Sequence, residues 1–194
     1  VCSEDSSGWW NLIFFEVKDL KNINIKKRIS KEFFEYGSPQ WVSGISLFSG
    51  LKDNFYCLAR HKDNWILENY QNLSFVRKIN LPYTILRDLR SYSSNLILKA
   101  SSPVCAEKLI ELELKSFSGI QIKQNQINSL EAISQAESIW FEGSYKRKTH
   151  AFIYKPISST FQKLPLIVKA HSGPTDHFNG SLNPEVQFWT SRGW

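Results

Sequence analysis

The sequence predicts a mainly β protein: a partial β-propeller, consisting of its last two to three four-stranded antiparallel blades, followed by the start of an α/β region. Three observations predict it. From residue 1 to about residue 125, short runs of Ile, Leu, Phe, Tyr and Trp are broken every few residues by Asn, Asp, Gly, Ser or Pro, the pattern of many short strands. These runs recur in units of about 45 residues with four strands each, the spacing of propeller blades. Near residue 130 the pattern gives way to a hairpin, a continuous apolar run and a capped helical segment.

In chain order, strands are expected at Leu12–Lys18, Ile25–Ile29, Gly44–Ser49, Phe55–Arg60, Trp65–Tyr70, Phe75–Ile79, Thr84–Ser91, Leu96–Ala100, Lys108–Leu114 and Ile120–Lys123. The stretch "YCLARHKDNWILENYQNLSFVRKI" holds strand, turn, strand, tight turn and strand. "VCSEDSSGWWNLIFFEVKDLKNINIKKRI" can be laid over it with Cys2 on Cys57 and Trp10 on Trp65, and "LILKASSPVCAEKLIELELKSFSGIQI" repeats the layout without the Trp. Blades bury apolar surface against their neighbours, so Trp10, Trp41 and Trp65 are expected to pack between blades.

"NSLEAISQAESIWFEG" reads as a connector leading into a strand at Ser138–Phe141, with a hairpin partner in "SYKRKTHAFIYKPI". After a polar loop at Ser158–Lys163, the run Leu166-Ile167-Val168 has the continuous apolar character of a strand buried on both faces. In "LNPEVQFWTSRGW", Asn183 can cap a helix and Pro184 fits its first turn. Val186 and Trp189 give apolar i,i+3 spacing, and Gly193 can end it.

Composition narrows the function classes. The chain has 194 residues, 42% of them hydrophobic, enough for a sizeable core. Its opening without Met and its close on "TSRGW" read as a window from a longer protein. Three well-separated cysteines, an odd number without CxxC spacing, predict neither a disulfide framework nor a zinc site and fit reduced thiols in a cytoplasmic setting. The net charge is +6, but the basic residues are scattered among acidic ones, with short runs only at Lys26-Lys27-Arg28 and Lys146-Arg147-Lys148. Nucleic acid is therefore not an expected partner. No apolar run approaches the roughly 20 residues of a membrane span, and no membrane partner, metal or cofactor is expected.

The seven residues "HSGPTDH", His171 to His177, crowd a serine, an aspartate and two histidines into one turn. A hydrolytic triad needs a base within reach of the nucleophile and an acid behind the base, a geometry that sequence neighbours rarely meet. Ser172 lies on no strand-to-helix elbow, and no G-x-S-x-G occurs in the chain, so neither Ser172 as nucleophile nor His171 as general base is expected. Asp176 and His177 read as loop residues, and Arg192 as a local pairing partner.

"LPLIVKAHSGPTDHFNGSLNPEVQFWTSRGW" resembles the segment of the prolyl oligopeptidase family in which a strand runs into His-Gly-Gly-Pro and a helix ends in Thr-Ser-Arg-Gly. The likeness is greatest to the branch of acylaminoacyl peptidases and dipeptidyl peptidases. "SEDSSGWWNL", "YGSPQWVSG" and "IWFEG…HAFIYKP" are similar to that branch in the same order. The resemblance implies that residues 1–128 are the C-terminal blades of the propeller. Residues 129–194 would then be a linker and the N-terminal part of an α/β-hydrolase domain, its first strands and first helix. It implies a serine peptidase acting on short peptides admitted by the propeller, with a Ser-Asp-His triad beyond residue 194, so that this segment alone is inactive. The backbone N–H of Gly173 would be an oxyanion-hole donor, in a turn supported by His171, Ser172 and Pro174. Ser172 stands where the family has a second glycine, and would be strained if that position needs positive φ. A propeller scaffold with a degenerate hydrolase domain and an esterase on the same fold are the alternative functions.

Overall fold

The computed structural model describes the chain except residues 20, 30, 32, 52, 63, 114–118, 122–131, 158–162 and 174. It divides into two compact units, Val1–Ala100 with Lys108–Lys123, and Ser101–Glu107 with Gln124–Trp194. The expected domain boundary at residues 128 and 129 lies outside the described residues, as does most of the expected loop Ser158–Lys163.

The first unit is built from three antiparallel sheets. The first is β1 (Cys2–Glu4), β2 (Asn11–Asp19) and β3 (Asn22–Ile29), in that order. The second contains β4 (Phe34–Glu35), β5 (Phe48–Leu51), β6 (Asn54–His61), β7 (Asn64–Gln71) and β8 (Ser74–Ile79). Here β4 and β5 share one edge of β6, pairing with its C-terminal and N-terminal parts respectively. The third runs β9 (Ile85–Tyr92), β10 (Asn95–Ser102), β11 (Cys105–Glu113) and β12 (Gly119–Gln121). The expected strand at Gly44–Ser49 is corrected to a later start at Phe48, because residues 37–47 leave the sheet edge as an excursion between β4 and β5. The four-strand unit holds for the third sheet, whereas the first has three strands and the second five.

Register carries the repeat. Cys2 pairs with Ile13 across β1 and β2, and Cys57 pairs with Glu68 across β6 and β7. Laying Cys2 on Cys57 therefore also lays Ile13 on the position of Glu68, so the two hairpins share register, although the β6–β7 ladder runs on to His61 and Asn64 and closes in a shorter loop.

Stacking forms two apolar clusters. Leu12, Phe14, Tyr36, Cys57, Ala59 and Tyr70 join the first sheet to the second. Leu58, Leu67, Leu86, Leu89, Leu96, Leu98, Ile110 and Leu112, with others, join the second to the third. Trp65 packs against this second cluster as expected. Trp10 lies so close over Gly37 that a Cβ on Gly37 would come within 2.5 Å of its ring. Trp41 departs from the expectation: it is 61% exposed on the 37–47 excursion, away from the sheet surfaces that blades bury.

A polar cluster lies within the first of these junctions. The Glu68 carboxylate, 4% exposed, accepts from Tyr36 Oη at 2.9 Å and Tyr70 Oη at 2.7 Å, and pairs with Lys31 Nζ at 2.9 Å. Lys31 also faces the rings of Phe34, Tyr36 and Phe75 at 5.0–5.9 Å. Burial, and then the charge on Glu68, push the Tyr36 hydroxyl far above the ordinary tyrosine range. Burial, followed by the hydrogen bond to Glu68, does the same to Tyr70, and burial also raises the Cys57 thiol.

The second unit holds the hairpin β13 (Glu137–Glu142) and β14 (Lys148–Ile153), and the helix α1 (Pro184–Thr190). The hairpin was expected, and Trp140 faces His150 across it. The run Leu166-Ile167-Val168, expected as a buried strand, is corrected. Residues 164–170 form no strand, and Leu166 and Val168 are 75% and 82% exposed. An apolar run becomes a buried strand only when neighbouring strands take up its backbone groups, and no described strand pairs with it. Among the described residues no helix is long and apolar enough to cross a membrane.

Candidate functional site

The crowded turn lies between the extended segment 164–170 and α1, and its surroundings are fixed from the helix side. Asn183 caps α1, its side-chain oxygen accepting from Glu185 N at 2.9 Å and Val186 N at 3.4 Å, with Pro184 in the first turn as expected. The last turn is closed by Gly193, at φ +89°. The buried helix face is polar, which corrects the expected apolar pair. Gln187 and Thr190 are 4% and 3% exposed, whereas Trp189 is 38% exposed. The Gln187 side-chain amide exchanges two hydrogen bonds with the backbone of Ser134, both 2.9 Å, and Ile157 N donates to Thr190 O. A two-bond amide clasp satisfies an otherwise costly buried backbone N–H and carbonyl, which is why glutamine rather than an apolar residue occupies the buried face.

Lys169 and Glu185 form an ion pair at 2.7 Å between the extended segment and α1. Both side chains are more than half exposed, so the pair is worth under about 1 kcal/mol and orients more than it stabilises. Gly180 packs beside Ala136 and Phe152, seating the chain that returns from the turn to the helix.

Within the turn, the side chains do not assemble a triad. Ser172 Oγ donates toward Asp176 Oδ2 at 3.5 Å, at the limit of hydrogen-bond length, and not to a histidine. Asp176 Oδ1 accepts from the adjacent His177 N at 2.8 Å. His171 Nδ1 lies 3.5 Å from Ser172 O, and its ring meets Phe178 edge-on at 6.3 Å. Nucleophile, base and acid are thus not in relay order. Arg192 donates to Phe188 O at 2.9 Å and stacks 3.7 Å from the Phe188 ring, the local pairing expected of it.

The distinctive group of the turn is Gly173. Its φ is +66°, the left-handed region that a residue without Cβ enters at little cost. A Cβ there would meet no atom within 4 Å, so conformation rather than crowding calls for glycine. Gly173 is exposed, and among the described residues its N–H has no hydrogen-bond partner. Ser172 does not adopt positive φ, so the strain considered for a serine at this position is absent. Pro174 lies outside the described residues. Among the described residues, no group of three or more His, Cys, Asp or Glu is placed to hold a metal ion.

No protein-family model and no curated protein matches the chain. Solved structures do. A Mycobacterium tuberculosis puromycin-hydrolyzing peptidase superposes with a TM-score of 0.80 at 19% identity, covering 97% of this chain and 30% of that one. A crystal structure of puromycin hydrolase matches with a TM-score of 0.80 at 24% identity, covering 97% of this chain and 29% of that one. At these identities the likeness shows the fold. The shared fold extends over nearly the whole chain, which spans about 30% of the length of the structures it matches.

Proposed function

We propose that the chain is a segment of a serine peptidase of the prolyl oligopeptidase family: propeller blades followed by the start of an α/β-hydrolase domain. Its substrates are short peptides, the propeller gates their access, and segments beyond Trp194 supply the Ser-Asp-His triad. Three features support the family reading: the peptidase fold matched along 97% of the chain, the repeated sheet register, and the turn between an extended segment and a capped helix.

The observation that carries the chemistry is the N–H of Gly173, without a partner among the described residues, in a left-handed, Cβ-free position. In acyl transfer the carbonyl oxygen gains negative charge, and a fixed donor aimed at that position lowers the barrier by a few kcal/mol. In α/β hydrolases the amide after the nucleophile is one donor, and an amide in the loop after an early strand is the other. Gly173 takes this second role. His171, Ser172 and Asp176 shape the turn and exchange no proton with substrate.

A polypeptide that continues beyond Trp194 is expected to react covalently with a fluorophosphonate probe, while residues 1–194 alone are not; a longer protein that stays unlabelled sinks the proposal. In the longer protein, Gly173→Pro removes the N–H and also cannot take φ +66°, so the two effects together are expected to lower kcat by at least about two to three orders of magnitude. Gly173→Ala keeps the N–H and is expected to cost far less.

A further inference from the structure

On the first unit, an arginine and an apolar loop are built side by side, and nothing in the proposed chemistry uses them. Residue alternation in β9 is broken at Asp88, which holds φ +53° in mid-strand with its carboxylate 2.9 Å from Lys99 Nζ. A strand alternates its faces every residue, so Leu86 and Leu89 would point in opposite directions. The left-handed residue shifts the phase. Leu86 and Leu89 are both buried, at 1% and 0% exposure, while Arg87 and Arg90 are both exposed. A left-handed residue within a strand re-aims the side chains that follow it, and a non-glycine residue persists there only where its surroundings hold it.

The re-aimed Arg90 meets the 37–47 excursion. Its Nη2 donates to Gly44 O at 3.1 Å, and no described carboxylate pairs with its guanidinium. The foot of the excursion is fastened to the same strand, with Leu89 N donating to Ser46 O at 2.8 Å and Ser46 Oγ to Leu89 O at 2.7 Å. Trp41, Val42 and Ile45 of the same excursion are exposed, Trp41 by 61%. β9 and β5 both lie at edges of their sheets, so the strand that carries Arg90 and the strand that follows the excursion are open to a ligand.

We propose that Arg90 and the Trp41–Ile45 loop form a recognition site for the C-terminal end of a peptide, the guanidinium taking the carboxylate and the loop taking an apolar last side chain. The choice of occupant follows from charge complementarity: a planar fork of donors with no carboxylate partner among the described residues, set beside an apolar loop, matches a carboxylate joined to an apolar group. The substrate class rests on the peptidase reading; the binding itself does not, since it is measured without turnover.

The test titrates the 194-residue chain with N-acetyl-alanyl-phenylalanine, with its C-terminal amide, and with N-acetyl-alanyl-glycine, followed by NMR or calorimetry. The free acid is expected to bind about tenfold or more tightly than the amide, the loss typical of a hydrogen bond to a charged group. Arg90→Ala is expected to abolish that difference and Arg90→Lys to keep part of it. Trp41→Ala is expected to remove the preference for the phenylalanine peptide over the glycine peptide while leaving the acid preference. Unfolding curves of each variant establish that it is folded, and Arg90→Gln, which can still donate to Gly44 O, replaces any that is not. Equal binding of acid and amide, a difference that survives in Arg90→Ala or Arg90→Gln, or no binding of either peptide overturns the proposal. Fluorophosphonate labelling of the longer protein stands or falls separately.

Discussion

Glu68 shows what a single buried charge demands. Its two oxygens have three donors, Lys31, Tyr36 and Tyr70, drawn from the 30–33 connection, the 34–36 segment and β7. Removing one donor exposes the carboxylate to the full cost of burial, so Lys31→Met is expected to destabilise the protein by about 2–4 kcal/mol in urea unfolding, and Tyr36→Phe or Tyr70→Phe by about 1–2 kcal/mol each. The sign of the pH dependence follows from the raised tyrosines. Below the ordinary tyrosine value of 10.0 both states keep the proton. Above it the unfolded chain releases the proton while the folded one holds it, so stability falls as pH rises from about 10 toward the folded-state values. Tyrosinate absorbance from Tyr36 and Tyr70 should therefore appear together with unfolding, and in Tyr36→Phe the alkaline fall should be shallower. The two informative glycines separate by cause. Gly37→Ala drives a Cβ into the Trp10 ring and is expected to cost about 1–3 kcal/mol by overpacking. Gly173→Ala meets no atom, and its cost of about 1–2 kcal/mol is conformational.

Elements differ in how much of their structure is written locally. The β6–β7 hairpin was legible because its apolar runs and turn lie within about twenty residues, and its shared register with β1–β2 was legible from the Cys and Trp alignment. The cap of α1 was legible for the same reason: Asn183 and Pro184 act on their own helix. What lay beyond reach depends on distant partners. Gln187 is buried because Ser134, fifty-three residues away, presents a bare backbone N–H and carbonyl, and no helical periodicity signals that. Gln187→Leu is accordingly expected to destabilise by about 2–3 kcal/mol, although it makes the helix more conventionally amphipathic, whereas Trp189→Gln should stay within about 1 kcal/mol. A reversed order of these two variants in thermal unfolding would return α1 to the apolar-face reading. The run at 166–168 misled for the same reason, since its composition specifies burial but not the strands that would provide it. The left-handed Asp88 in β9 has no turn signature around it and could be found only in the backbone. In the candidate site, the place of Gly173 was legible from the turn's resemblance to a family motif, but not that its N–H has no partner among the described residues.

Across the first unit, stability is distributed by stacking rather than by strand content. The second sheet contributes to both apolar clusters, so β6 and β7 have buried side chains on both faces: Tyr56 and Leu58 on one, Cys57 and Ala59 on the other. The first sheet is buried at one end only, where Asn11, Leu12, Ile13 and Phe14 are all covered. Leu12 and Phe14 are buried against the second sheet, while Val17, Ile23 and Ile25 are 54–61% exposed. Each sheet of such a stack gains most of its stability from its neighbours, and local opening follows the density of buried contacts. Amide exchange should therefore be graded: slowest in β6 and β7, where opening requires disrupting both clusters, and faster in β3, where one hairpin can fray with one cluster intact. The difference expected between Leu58 or Leu67 and Ile23 or Ile25 is at least about a hundredfold, equivalent to about 2.7 kcal/mol of opening free energy, the loss of one or two buried aliphatic side chains. Mass-resolved exchange on the 194-residue chain measures it directly. Uniform protection across β3, β6 and β7 would mean that the unit opens only as a whole, and that cohesion between sheets exceeds what the two clusters account for.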